Sequence, residues 1–241
     1  MSIADKIETI AENVPKVFEA GKKSQYDMFW DNYQENGQRT SYNGAFAGNC
    51  WTVETFQPKY NIHPRFLQYG FWNNTINKDL VQLLANINIS LDTSNCANIS
   101  MAFQYSKFTR IGVIDCSAIT SSMSGVFGNA TNLETIDKLI LTENVGFSGW
   151  FTSCAVLKNL TIEGTIGKNG FSVADSPLLT KESLTSIINA LSTTTSGLTV
   201  TLSKTAVNNA FETASGLADG STSPEWTSLT GTKTNWTISL A

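Results

Sequence analysis

The sequence predicts an α/β fold: an irregular solenoid of repeats, with helices at its N-terminal side and a βαβ-like cap at its C-terminal side. Three observations lead there. Phe103, Phe127 and Phe151 recur at intervals of 24 residues, each opening a similar unit. Apolar residues before them fall at helical spacing, and the segments after them alternate between helical and strand patterns. At 241 residues, 41% apolar and 15% charged, the chain has the composition of a folded protein with a sizeable core.

The N-terminal helix is expected over residues 1–23, where Ile3, Ile7, Ile10, Val14 and Val17 form a heptad-like stripe. Ser2 suits its cap, and Asp5 and Glu8 lie where the helix dipole favours acids. Pro15 disturbs the ladder near its end. Such a stripe is covered either by the same chain or by copies of itself. Its β-branched residues favour a homo-trimer over a dimer, and the five apolar residues are the expected oligomerisation set.

Residues 24–65 are rich in aromatics, among them Tyr26, Phe29, Trp30, Tyr33, Tyr42 and Trp51. Phe29, Trp30 and Tyr33 suit a second short helix, and the block is expected to cover the open N-terminal end of the repeats. Residues 66–179 carry the repeats. The first unit runs from Phe103 through Phe108 and Ile111 to Ile114. The second runs from Phe127 through Leu133 and Ile136 to Leu141, and the third from Phe151 through Leu157 and Leu160 to Ile162. Each has an apolar anchor, a small polar turn, and apolar positions leading into a short strand. One such unit cannot bury its own apolar face, so neighbours must stack. The expected repeat core is therefore Phe103, Phe108, Ile111, Phe127, Leu133, Ile136, Phe151, Leu157 and Leu160. Gly70-Phe71 is expected to open an earlier, degenerate unit, with the run from Leu80 to Ile89 inserted in it.

The stretch Asp92-Thr-Ser-Asn-Cys-Ala-Asn-Ile-Ser-Met-Ala-Phe103 and its second copy, Ile114-Asp-Cys-Ser-Ala-Ile-Thr-Ser-Ser-Met-Ser-Gly-Val-Phe127, resemble the BspA-like leucine-rich repeats of bacterial surface and prophage-encoded proteins. The resemblance covers about residues 66 to 165. It implies an irregular leucine-rich-repeat solenoid and, by analogy with that family, adhesion or protein binding.

In residues 180–241, Leu184, Ile187, Ile188 and Leu191 lie on one helical face from Thr180 onward. Leu198 to Leu202 alternates as a strand, Ser203 caps a helix through Phe211, residues 216–224 read as a loop, and Trp236 to Leu240 is a closing strand.

The residue types needed for most catalysis are scarce. His63, followed by Pro64, is the one histidine, which excludes histidine triads and multi-histidine metal centres. Cys50, Cys96, Cys116 and Cys154 are widely spaced and read as buried free thiols, not a zinc set. The glycines at 164, 167 and 170 lack phosphate-loop spacing and read as a turn. Asp115 and Glu163 share a frame position two repeats apart. That implies a separation of roughly 10 Å on strands about 4.8 Å apart, beyond the usual span of a glycosidase acid pair. No cofactor, no metal and no catalytic residue is expected.

A formal charge of −4 without basic clusters argues against nucleic acid as a partner. No apolar run is long enough for a membrane span, and the start of the chain lacks the pattern of a signal peptide. A non-enzymatic virion component fits these features: a phage baseplate, tail-tip or fibre-like protein, made in the host cytoplasm and partnered by itself, by other virion proteins or by a host-surface glycan. The alternative is a bacterial cell-surface adhesin or interaction module, and a carbohydrate-active hydrolase ranks third. Neighbouring tail, holin or lysin genes favour the first, and a neighbouring sortase or secretion apparatus the second.

Overall fold

The computed structural model describes residues 71, 77–85, 93–94, 96–211 and 219–241. The N-terminal helix with its five-residue stripe and the whole aromatic block lie outside them. The same is true of Cys50 and His63.

Among the described residues, eight short strands form three parallel sheets. The first contains β1 (Arg110–Asp115), β3 (Thr135–Leu141) and β5 (Asn159–Gly164), in that order. The second pairs β2 (Ser122–Ser124) with β4 (Gly146–Ser148). The third joins β6 (Ser172–Val173), β7 (Leu198–Leu202) and β8 (Trp236–Leu240). Four short α-helices accompany them among the described residues: α1 (Leu80–Ala85), α2 (Lys181–Ala190), α3 (Lys204–Ala210) and α4 (Pro224–Gly231).

This corrects the expected α/β leucine-rich-repeat solenoid and its βαβ-like C-terminal cap, while the expected N-terminal helices lie outside the described residues. Among the described residues the strands gather into separate sheets of three, two and three strands instead of one continuous ribbon, and helices are few. Two physical reasons stand out. Among the described residues, no helix lies between β1 and Thr180, and the return arm of a unit is a second short strand such as β2 or β4. After the third unit, the apolar residues that would extend the first sheet, Leu184, Ile187 and Ile188, have helical spacing. Thr180 accepts a hydrogen bond from the Ser183 N–H and caps them as α2, so the sheet stops. The C-terminal part is a sheet of its own, and its first strand, β6, precedes residue 180.

The repeat sets the register, with an offset of 25 residues from β1 to β3 and of 24, then 23, from β3 to β5. Ile111 pairs with Ile136 and Ile136 with Leu160; Ile114 pairs with Leu139 and Leu139 with Ile162. A register shift between Ile136 and Leu139 takes up the one-residue difference between β3 and β5. Behind the strands, Phe71, Phe103, Phe127 and Phe151 stack face to face. Their ring centroids are 5.2, 5.6 and 5.4 Å apart, with interplanar angles of 17° or less. All nine repeat-core residues, from Phe103 to Leu160, are buried in one contiguous cluster. Full burial of each such side chain stabilises by roughly 1.5–3 kcal/mol before entropy is counted.

The turns repeat too. Met101, Gly125 and Gly149 occupy the left-handed region, as do Tyr105, Asn129 and Ser153 four residues later in each unit. A non-glycine residue there costs about 1–2 kcal/mol, so the stacked backbone must hold it. It does so through bonds between successive units, such as Phe103 N–H to the Val126 carbonyl and Phe127 N–H to the Trp150 carbonyl, at 2.8 and 3.0 Å.

Candidate functional site

In the first sheet, inward residues fill the core and the rest form an outer face of three parallel rungs. The side chains there tie one rung to the next. Arg110 donates to both carboxylate oxygens of Asp137, each at 2.8 Å, and also reaches Asp79 at 3.4 Å. The hydrogen bond to Asp137 is the main cause that raises the Arg110 pKa above its ordinary value, with attraction from both carboxylates adding to it. Lys138 pairs with Glu163 at 2.6 Å, Lys158 with Glu134 at 2.8 Å, and Asn159 donates to Thr135 at 3.2 Å. Exposed pairs like these contribute little stability, at most about 1 kcal/mol each, but they fix side chains in place. Val113 stands among them 45% exposed. The result is a face of alternating charge with an apolar spot.

On the other side, Ser100, Ser124, Ser148 and Ser172 follow at 24-residue intervals, with Ser124 and Ser148 in direct register. An open groove of about 620 Å³ lies between β5 and α2, lined by Ile162 and Gly164 of the strand and by Lys181, Glu182, Thr185 and Asn189 of the helix. Lys181 is engaged there by Glu225 at 2.6 Å and lies 5.5 Å above the Phe211 ring.

Asp115 and Glu163 occupy matching positions on β1 and β5 with Ile140 between them. Asp115 accepts from the Ser117 N–H at 2.8 Å, and Glu163 is held by Lys138. Each carboxylate thus has a local structural partner. Cys96, Cys116 and Cys154 are buried. Burial raises the Cys154 thiol to about 12, and burial followed by the nearby Asp115 charge moves Cys116 in the same direction. Cys116 and Cys154 therefore favour the protonated thiol at neutral pH. Among the described residues, no three His, Cys, Asp or Glu side chains are grouped to hold a metal ion, and no helix is long and apolar enough to cross a membrane.

Sequence reasoning missed several elements. The three-residue strands β2 and β4 are too short to show a periodicity. Helix α4 was legible in principle: Ser223-Pro224-Glu225 combines a cap, a proline at the first turn and an early acid. Lys233, unremarked in the sequence, is buried and donates to the carbonyls of Asn189 and Leu191 at 3.0 and 2.7 Å, binding the end of α2 to the turn before β8. No sequence periodicity signals such a contact.

Compared with known proteins, the chain matches no family model, no curated protein and no solved structure.

Proposed function

We propose that the chain is a non-enzymatic virion component of the phage baseplate, tail-tip or fibre type, and that it works by presenting the cross-linked outer face of β1, β3 and β5 to a partner. The observation that carries this reading is the ladder of paired charges on that face. Arg110 with Asp137, Lys138 with Glu163 and Lys158 with Glu134 each span neighbouring repeats, so the surface is pre-shaped and little side-chain entropy remains to be lost on binding. The likeness of residues 66–165 to BspA-like repeats supports a binding role. So does a polar surface made mainly of Ser, Thr and Asn. A homo-trimer joined through Ile3, Ile7, Ile10, Val14 and Val17 belongs to the same proposal, as do neighbouring virion proteins and a host-surface glycan as partners.

The test is quantitative mass spectrometry of particles released on lysis of the bacterium that carries the gene, with the washed cell envelope measured in parallel. The chain is expected in the particles at a fixed ratio to the tail proteins. Recovery in the envelope alone would replace this reading with the cell-surface adhesin.

A further inference from the structure

The sheets of this protein end in different ways. The edge of β5 is closed by α2: Ser183 Oγ accepts from the Leu160 N–H at 2.9 Å, and Ser186 Oγ accepts from the Ile162 N–H at 2.8 Å. The edge of β1 is engaged at both ends, by a bridge between Asp79 and Arg110 and by Thr93 on the backbone of Asp115. The last strand of the third sheet, β8, is different. Five consecutive residues pair with β7 in unbroken register, and among the described residues nothing pairs with its other edge.

The hydrogen-bond directions show which groups that edge offers. Ala241 donates to the Leu202 carbonyl and accepts from the Lys204 N–H, at 3.0 and 2.8 Å, so Ala241 faces β7. In a parallel strand both backbone groups of a residue point to the same side, and successive residues alternate. Thr237 and Ser239 therefore also face β7. Trp236, Ile238 and Leu240 point their backbone groups outward, and only the Trp236 N–H is already used, by the Lys233 carbonyl at 2.9 Å.

The strand also lacks the usual protections of an edge, such as a lysine, a proline or a bulge. Its pattern, Trp-Thr-Ile-Ser-Leu, is apolar and polar in alternation and reads the same in reverse. Antiparallel self-pairing centred on Ile238 sets Trp236 against Leu240 of the second copy and Thr237 against Ser239, keeping apolar residues on one face and polar residues on the other. All but one of the outward groups then find a partner: the two Ile238 residues exchange two bonds, and each Leu240 N–H donates to the Trp236 carbonyl opposite, leaving only the Leu240 carbonyl, which faces the Trp236 N–H that Lys233 already engages. No charge lies on the strand, so two acidic chains meet where repulsion is least.

We infer that β8 is an assembly edge whose occupant is β8 of a second copy, giving a two-fold, six-stranded sheet. The contact uses no residue of the N-terminal stripe and stands or falls apart from the proposed function.

Sedimentation velocity on the full-length chain tests it. Thr237→Lys with Ser239→Lys places like charges opposite each other across the two-fold axis and is expected to halve the mass. Thr237→Glu with Ser239→Lys places opposite charges there and is expected to restore it. Equal masses for the unaltered chain and the double-lysine variant would overturn the inference, and failure of the charge-swapped variant to re-associate would overturn the register. Should these variants not fold, Ile238→Cys decides. Directly paired residues lie about 5.5 Å apart between Cα atoms, within disulfide reach. Ile238→Cys is therefore expected to form a linked dimer in air, at least tenfold faster than Thr237→Cys, and equal rates would also overturn it.

Discussion

Leu160 shows how a single side chain serves both the local strand and the stack. It pairs in register with Ile136, is 1% exposed, and its N–H is received by a serine of α2. Leu160→Ala removes core volume that neighbouring repeats cannot refill, and the expected loss is about 2–5 kcal/mol. Urea denaturation measures it directly, and an unchanged midpoint would show that the repeats are not packed as described. The apolar residues at 24-residue intervals were legible in the sequence because burial demands their chemistry. Lys233 was not, because its partners are backbone carbonyls that any residue could supply.

The buried thiols and Lys233 give stability a defined pH dependence. Cys154 has a folded pKa of about 12, above the roughly 8.5 of an unfolded cysteine, and Cys116 is shifted in the same direction. Below about pH 8.5 their contribution is fully present, and it is lost as pH rises through the folded values, because only the unfolded chain releases these protons early. Lys233 acts with the opposite sign. Burial lowers its pKa, so the folded state gains as pH climbs toward the ordinary lysine value. Melting temperature is thus expected to fall between about pH 9 and 12, and to fall less steeply in Cys116→Ala with Cys154→Ala. A variant with the same slope as the parent would remove the thiols from the explanation.

At the scale of elements, chain geometry decides where each sheet ends. Gly164 has φ +87°, and a Cβ there would run into the Leu141 carbonyl, whereas a Cβ on Gly231 meets nothing within 4 Å. Gly164→Ala is therefore expected to destabilise by more than the roughly 1 kcal/mol typical of a point mutation, and Gly231→Ala by less, as chemical denaturation would show. A second expectation concerns the edge of β5. Removing both hydroxyls in Ser183→Ala with Ser186→Ala leaves two strand N–H groups without their acceptors, at a cost of about 1–3 kcal/mol each. Amide exchange at Leu160 and Ile162 should then quicken at least tenfold relative to Ile136, and unchanged protection would mean that α2 does not close the sheet. Helices α2 and α3 were legible from their apolar spacing and from the caps Thr180 and Ser203. The return strands β2 and β4 were not, because three residues are fewer than two turns of any pattern. The solenoid expectation failed for the same reason: the repeat interval reports that units stack, not how the chain returns between them.

For the whole molecule, the paired outer face and the local partners of Asp115 and Glu163 support the proposal that the protein acts by binding through the face of β1, β3 and β5 and not by bond cleavage. The measurement that tests it most directly is the affinity of the purified chain for host cell envelope, made on the parent and on Val113→Asp with Lys138→Glu, while released glycan fragments are assayed in the same samples. The account predicts binding that drops at least tenfold in the variant, an unchanged melting temperature, and no fragments. Undiminished binding by the variant, or fragment release that disappears in Asp115→Asn or Glu163→Gln, would contradict it.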